Sequence, residues 1–307
     1  MGFDLITILG PTATGKTRLG ACLANHFNGE IISADSRQVY KFMDIGTGKD
    51  LDDYVVDDVP IPYHLIDIAE PTDEYNLYRF HKDFNTVYDA IRDKNKFPFL
   101  VGGTGLYLSS ILQNYLLKQS VKSKERINEL EKLSEYELRK ILLKLNPKQH
   151  NITDLINRDR MIKAILIEES SDHNFNEPTD PITSLNIGIK LERNEINKRI
   201  TERLKKRLDE GMIEEVKKLL QMGISNEKLA FFGLEYKYIA LYLTEELNYN
   251  DMFQKLNSAI HNFAKRQMTW FRKMKREGVE INWFDGGDFE VISKFIEKRI
   301  DYDTKPA

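Results

Sequence analysis

Cysteine is almost absent from this chain. Cys22 is the only one in 307 residues, so no intramolecular disulfide can form and the sequence suits a reducing compartment. Cys22 falls within a helical stretch and reads as a small apolar packing residue rather than a nucleophile. Long apolar runs are missing as well: none approaches the roughly 20 residues that a membrane-spanning helix needs. The N-terminus enters an apolar strand with no basic leader ahead of it, so a cytoplasmic enzyme with no membrane partner is expected. Excess positive charge is lacking too, since 45 Lys and Arg against 48 Asp and Glu leave a net −3. Any nucleic-acid binding must therefore come from local patches. The six histidines are scattered without a second ligand at zinc-site spacing, which excludes that class of metal site. No internal repeat or low-complexity tract is present.

What is there begins with Leu5 to Thr17, LITILGPTATGKT. A short apolar strand runs into Gly10, Pro11, Thr12, Ala13, Thr14, Gly15, Lys16 and Thr17, and a helix is expected from Arg18 to Phe27. This is the GxxxxGK[ST] phosphate-binding loop in its required strand-loop-helix setting. Its glycines let backbone N–H groups turn inward, and the helix N-terminus adds positive potential. Lys16 would lie on the outer phosphates and Thr17 would offer its hydroxyl to Mg²⁺. The motif leaves open which phosphorylated compound is held.

Further apolar segments read as strands at Glu30 to Ala34, Tyr63 to Ile68, Phe97 to Val101, Leu185 to Leu191 and Glu280 to Phe284, with helices between them. The fold class is α/β, a P-loop NTPase-like parallel sheet flanked by helices. Asp35 follows the second strand and Gly102-Gly103-Thr104-Gly105 the fourth, both where open α/β sheets place their chemistry. The acidic stretch Asp50 to Asp58 reads as solvated surface. From about Lys118 no strand candidate remains, and helical periodicity carries a basic face that includes Arg126, Arg158, Arg160 and Lys163. Residues 118–181 are thus an all-helical insertion between two parts, 1–117 and 182–307, of one core; its basic face is either a binding surface or a solvated one. Arg199, Arg203 and Arg207 recur every four residues on one helix face. Such a stripe can clamp oxyanions, but spacing alone favours solvent. Near the end, Lys265, Arg266, Gln267, Met268, Thr269, Trp270, Phe271 and Arg272 interleave basic and aromatic residues, a composition suited to a nucleic-acid backbone and its bases.

Taken together, these segments resemble one family, the tRNA dimethylallyltransferases or tRNA isopentenyltransferases. The matching stretches are GPTATGKT at 10–17, ISADSRQVYKFMDIGTGK at 32–49, HLIDI at 64–68, VGGTGLY at 101–107, the arginine pattern from Arg199 to Val216, and AKRQMTWFR at 264–272. They occur in the family's order and span nearly the whole chain. There are departures: YHLID for the commoner HHLID, GLEY at 233–236 for GY-x-E or GY-x-Q, Arg207 where many members have Met, and Lys163 where the family's insertion helix has an Arg.

The resemblance implies transfer of a dimethylallyl group from dimethylallyl diphosphate to N6 of the adenosine immediately 3′ of the tRNA anticodon. By the same resemblance Asp35 is the base, Thr104 hydrogen-bonds the same region, Lys16 stabilises the leaving group, and Arg203 joins residues 10–17 on the diphosphate with Mg²⁺ as cofactor. Contacts to tRNA are implied for Asp35, Ser36, Arg37, Gln38, Thr104, Arg126, Asp159, Arg160, Met161, Ile162 and Lys163, with Lys265, Arg266 and Gln267 added from the basic helix. The expected partners are the anticodon stem-loop of tRNA and the prenyl donor, with the protein acting as a monomer. The alternatives are an adenylate isopentenyltransferase acting on free nucleotide, a P-loop small-molecule kinase, and an RNA-binding module with a vestigial loop.

Overall fold

The computed structural model describes residues 2–115, 117, 124–147, 155, 157–169 and 181–300. The chain divides into two compact units, one made of residues 1–113 and 182–307, the other of 114–181. In the first unit a six-stranded sheet comprises β1 (Leu5–Leu9), β2 (Gly29–Ala34), β5 (Tyr63–His64), β6 (Phe97–Gly102), β7 (Ser184–Lys190) and β8 (Asn282–Asp285), in the spatial order β5-β2-β6-β1-β7-β8. Every pairing in it is parallel. β1 is central and wholly buried, which is why it reads as an unbroken apolar run. Its side chains alternate between two cores: Leu5 and Leu9 face one, Ile6 and Ile8 the other.

The second core is closed by α1 (Lys16–His26) and α12 (Phe289–Ile300). The first is much larger. It holds α2 (Leu77–Asp93), α3 (Gly105–Leu112), α7 (Arg193–Asp209), α8 (Met212–Gln221), α9 (Asn226–Phe232), α10 (Leu234–Leu243) and the long α11 (Tyr249–Arg276). Gly211 separates α7 from α8, and Gly233 separates α9 from α10.

Two expectations for this unit fail. The strand expected over Tyr63 to Ile68 stops at His64, because the chain bends through left-handed backbone at Leu65 (φ 63°) and Asp67 (φ 56°). There Asp67 pairs with the buried ammonium of Lys49. The acidic stretch from Asp50 is not merely solvated surface. It forms a 3₁₀ turn (Leu51–Tyr54) and a hairpin, β3 (Val55–Val56) with β4 (Val59–Pro60), and Tyr54 is buried against α1's side of the sheet.

The described part of the second unit contains α4 (Lys124–Leu130), α5 (Glu135–Leu145) and α6 (Arg158–Glu169), with no strand among the described residues. A capping box at Ser134 and Glu137 starts α5. Leu130, Leu138, Leu142, Met161, Ile162, Ile165 and Leu166 form its own core. Lys118, Lys122 and Lys148 of the basic insertion, and residues 170–180, lie outside the described residues.

Candidate active site

The phosphate loop connects β1 to α1, so the sheet's carboxyl edge and a helix N-terminus meet there. The loop is built on left-handed backbone at Ala13 (φ 65°) and Gly15 (φ 76°). The Thr14 hydroxyl donates to the Pro11 carbonyl at 2.9 Å, and Lys16 Nζ reaches the same oxygen at 3.3 Å. At Gly10 any side chain is excluded, since a Cβ would lie 2.5 Å from the Ile189 carbonyl oxygen on β7. Thr12, Ala13, Gly15, Lys16 and Thr17 line a cavity of about 990 Å³.

Asp35 sits at the end of β2 on the wall of the same cavity. Its Oδ1 accepts the backbone N–H of Arg37 at 2.9 Å and, at 3.4 Å, that of Gln38. Thr104 caps α3 just beyond β6. Its Oγ1 accepts the Ser36 N–H at 3.1 Å, and its own N–H donates to the Ala34 carbonyl. The hydrogen of that hydroxyl is thereby free to donate toward the cavity. Asp35, Ser36, Arg37, Gln38 and Thr104 thus line the same cavity as the phosphate loop.

The arginine stripe corrects the reading from spacing alone, which favoured solvent. Arg203 Nη2 donates to Thr12 Oγ1 at 2.5 Å, and Arg207 is buried with its Nη2 3.0 Å from Asp50 Oδ2. Only Arg199, paired with Glu195 and exposed, keeps a solvated character, although it too borders the cavity. The cause is tertiary: α7 packs its stripe over the carboxyl edge of the sheet. Crowded cations then feel one another. Burial, partly offset by Asp35 but reinforced by Arg203, lowers the Lys16 ammonium to about 8. Burial and the neighbouring Arg207 lower Arg203 to about 10. Glu235, on the same wall, has its carboxyl pushed up by burial against the pull of its own backbone N–H, Arg207 and Arg203.

Helix α11 also departs from expectation. Gln267, expected on RNA, is buried and braces the site internally: its Oε1 accepts the Thr12 N–H and its Nε2 donates to the Gly103 carbonyl, each at 2.9 Å. Trp270 donates to Ser109 Oγ at 2.8 Å, and Phe271 is fully buried in the core. Phe271 is thus a structural brace, whereas Trp270 is half-buried and also lines the main cavity. Arg266 does border the main cavity, whereas Lys265 borders a separate one of about 600 Å³ with Arg193 and Arg272. In the insertion, Met161 and Ile162 are buried in its core, so they cannot touch RNA as expected. Asp159, Arg160 and Lys163 on the same helix are exposed. Arg126 is held by Glu129 at 2.7 Å and Glu169 at 2.5 Å.

Sequence reasoning missed Glu215, whose carboxylate accepts the N–H groups of Asp44, Ile45 and Gly46. Its only signal was its place in the Arg199 to Val216 pattern. Among the described residues no three His, Cys, Asp or Glu side chains converge as a metal cage.

The sequence model of a family described as IPP transferase matches residues 38–274. A tRNA dimethylallyltransferase from Phocaeicola vulgatus is 52% identical over 92% of this chain and 92% of its own length. Another, from Azobacteroides pseudotrichonymphae, is 50% identical over 96% and 97%. Among solved structures, a full-length tRNA isopentenylpyrophosphate transferase from Bacillus halodurans has a TM-score of 0.70 at 30% identity, covering 97% of each chain. A eukaryotic dimethylallyltransferase described as acting on tRNA has a TM-score of 0.75 at 24% identity over 97% of this chain and 76% of that one, a likeness of fold.

Proposed function

The chain belongs to the IPP transferase family, and from that premise we propose that it works as a tRNA dimethylallyltransferase. The donor is dimethylallyl diphosphate, and the acceptor is the exocyclic N6 amine of the adenosine immediately 3′ of the anticodon. The observation that carries this reading is that the phosphate loop, with Lys16 and Arg203, and the pair Asp35 and Thr104 line a single cavity.

The chemistry divides between the two walls. On one, the loop amides, Lys16 and Arg203 hold the diphosphate and stabilise the charge it gains as the allylic C–O bond breaks. Lys16 at about 8 is charged at neutral pH, and an arriving dianion strengthens that state. On the other wall, the adenine amine is a weak nucleophile because its lone pair is delocalised into the ring. As the new N6–C bond forms, Asp35 takes the proton, while the electrons of the broken bond leave with diphosphate. The Thr104 hydroxyl, with its oxygen already engaged by Ser36 N–H, donates into the space between. Magnesium fits the phosphate end. Thr17 and Asp53 line that cavity without a complete protein cage, a donor set suited to a hard cation held mainly by phosphate oxygens and water. When bound, it neutralises charge on the leaving group.

The target adenosine must leave its stack to enter such a cavity, as bases of a single-stranded loop can. Exposed Arg160 and Lys163 supply cations for the anticodon arm. In this reading the protein acts as a monomer. The single cysteine suits the reducing cytoplasm, and no described helix is long and apolar enough to cross a membrane.

The test is to incubate the protein with Mg²⁺, dimethylallyl diphosphate and either unmodified tRNA or AMP, then digest and examine the nucleosides by mass spectrometry. N6-dimethylallyladenosine from tRNA is the expected outcome. Product from AMP alone would replace this reading with that of a free-nucleotide prenyltransferase.

A further inference from the structure

The wall of the cavity nearest Arg207 is a segment without regular secondary structure, Met43 to Lys49, and something must hold it. Its backbone N–H groups at Asp44, Ile45 and Gly46 all donate to one side chain, Glu215 of α8, at 2.8, 2.7 and 3.0 Å. The two carboxylate oxygens divide the work. Oε2 takes Asp44 and Ile45; Oε1 takes Gly46 and, at 2.7 Å, the hydroxyl of Tyr236. Tyr236 is fully buried. It stands within GLEY, at a position where the resembling family carries Glu or Gln. From the other side, Gln38 Nε2 ties down the Gly48 carbonyl at 2.9 Å.

What the segment presents to the cavity is Gly46, Thr47 and Gly48. Gly48 has left-handed backbone (φ 71°) and lies so close to Arg207 that a Cβ there would run into the guanidinium. That guanidinium also pairs with Asp50, two residues on. Its position, beside Arg203 on the same helix, is therefore set by the loop, and the loop by Glu215.

We propose that Glu215, keyed by Tyr236, is a positioning residue for the prenyl donor: it fixes the Gly46–Gly48 wall and through it the Arg207 guanidinium that completes the diphosphate site. The inference rests on the transferase reading for its substrate, but not for its geometry. Four donors converging on one carboxylate leave no room for an amide. Glu215→Gln would turn an NH₂ group toward N–H groups and release the wall.

The test uses the full chain. Steady-state kinetics with an anticodon stem-loop RNA and dimethylallyl diphosphate, calorimetric binding of inorganic diphosphate, and thermal melting are measured for wild type, Glu215→Gln, Tyr236→Phe and Gly48→Ala. Glu215→Gln should raise the KM for donor and the Kd for diphosphate about tenfold, the scale of a displaced binding group, with kcat and the KM for RNA within about twofold. Gly48→Ala, which pushes on Arg207 directly, should give the same pattern, and the two changes combined should be less than additive. Tyr236→Phe, which spares three of the four donors, should give a smaller shift in the same direction. Unchanged donor KM and diphosphate Kd in a folded Glu215→Gln would overturn the proposal, as would a rise in RNA KM instead. If that variant does not fold, unchanged diphosphate binding in both Tyr236→Phe and Gly48→Ala overturns it. A wild type that binds diphosphate but makes no product would sink the transferase reading and leave this one to the binding data.

Discussion

The core unit and the insertion use charge in opposite ways. In the core, cations are drawn inward: Arg207 is buried, and burial lowers both Lys16 and Arg203. Around them sit carboxylates and backbone dipoles that fix each group in one place. In the insertion the interior is wholly apolar among the described residues, and Arg160 and Lys163 stand in solvent. Buried charge gives strength and precision at the reacting atoms, because screening there is weak. Exposed charge gives reach, at the cost of sensitivity to salt. On the proposed reading, one region is organised for chemistry and the other for gripping a polyanion.

The sharpest way to break this contrast is at Asp35. Asp35→Ala should lower the single-turnover rate by about 10²- to 10⁴-fold while leaving RNA affinity nearly unchanged; equal losses in rate and affinity would make Asp35 a binding residue. Next in size, Met161→Ala removes a fully buried side chain from the small core. It should destabilise the insertion by about 2–5 kcal/mol without altering diphosphate binding by the core, as read by hydrogen exchange and calorimetry. A pH series addresses Lys16. Because the site holds its pKa at about 8 rather than 10.5, diphosphate affinity, corrected for the ligand's own ionisation, should be flat below that pH. It should then fall by up to about a decade per unit above it, and a flat profile to pH 10 would remove Lys16 from the site. The smallest effect belongs to the surface. Neutralising Arg160 and Lys163 should weaken RNA binding and reduce the slope of log K against log salt by about 0.7 per lost contact. Adding Arg126→Gln should contribute less, since Glu129 and Glu169 already engage that guanidinium.

The phosphate loop, Asp35 and the Gly-Gly-Thr-Gly turn were legible because each is a contiguous motif whose backbone demands are local. The sheet was legible for the same reason, strand by strand, apart from β5, which ends at His64 where the backbone turns left-handed at Leu65 and Asp67. The direction of a helix face was not. Arg203 and Arg207 have the spacing of a solvated stripe, and only the packing of α7 over the sheet edge turns them inward. Conversely, KRQMTWFR has the composition of an RNA-binding helix, yet Gln267 and Phe271 are buried, and Gln267 and Trp270 hydrogen-bond to the phosphate loop, Gly103 and α3. Composition reports what a side chain can do, and the neighbours decide which use is realised. Beyond Glu215's place in the Arg199 to Val216 pattern, neither Glu215 nor Glu235 had a local signal, since their partners lie in distant segments or arise only from burial in the assembled cavity.

In the proposed reaction the phosphate loop holds a departing diphosphate while Asp35 faces an RNA-borne amine in the same cavity. This is tested most directly by a single-turnover experiment that counts diphosphate released and dimethylallyladenosine formed, with and without the anticodon stem-loop. The two are expected in equal amounts when RNA is present, and neither when it is absent. Diphosphate release without RNA, or release of phosphate from ATP in place of prenyl transfer, would contradict it.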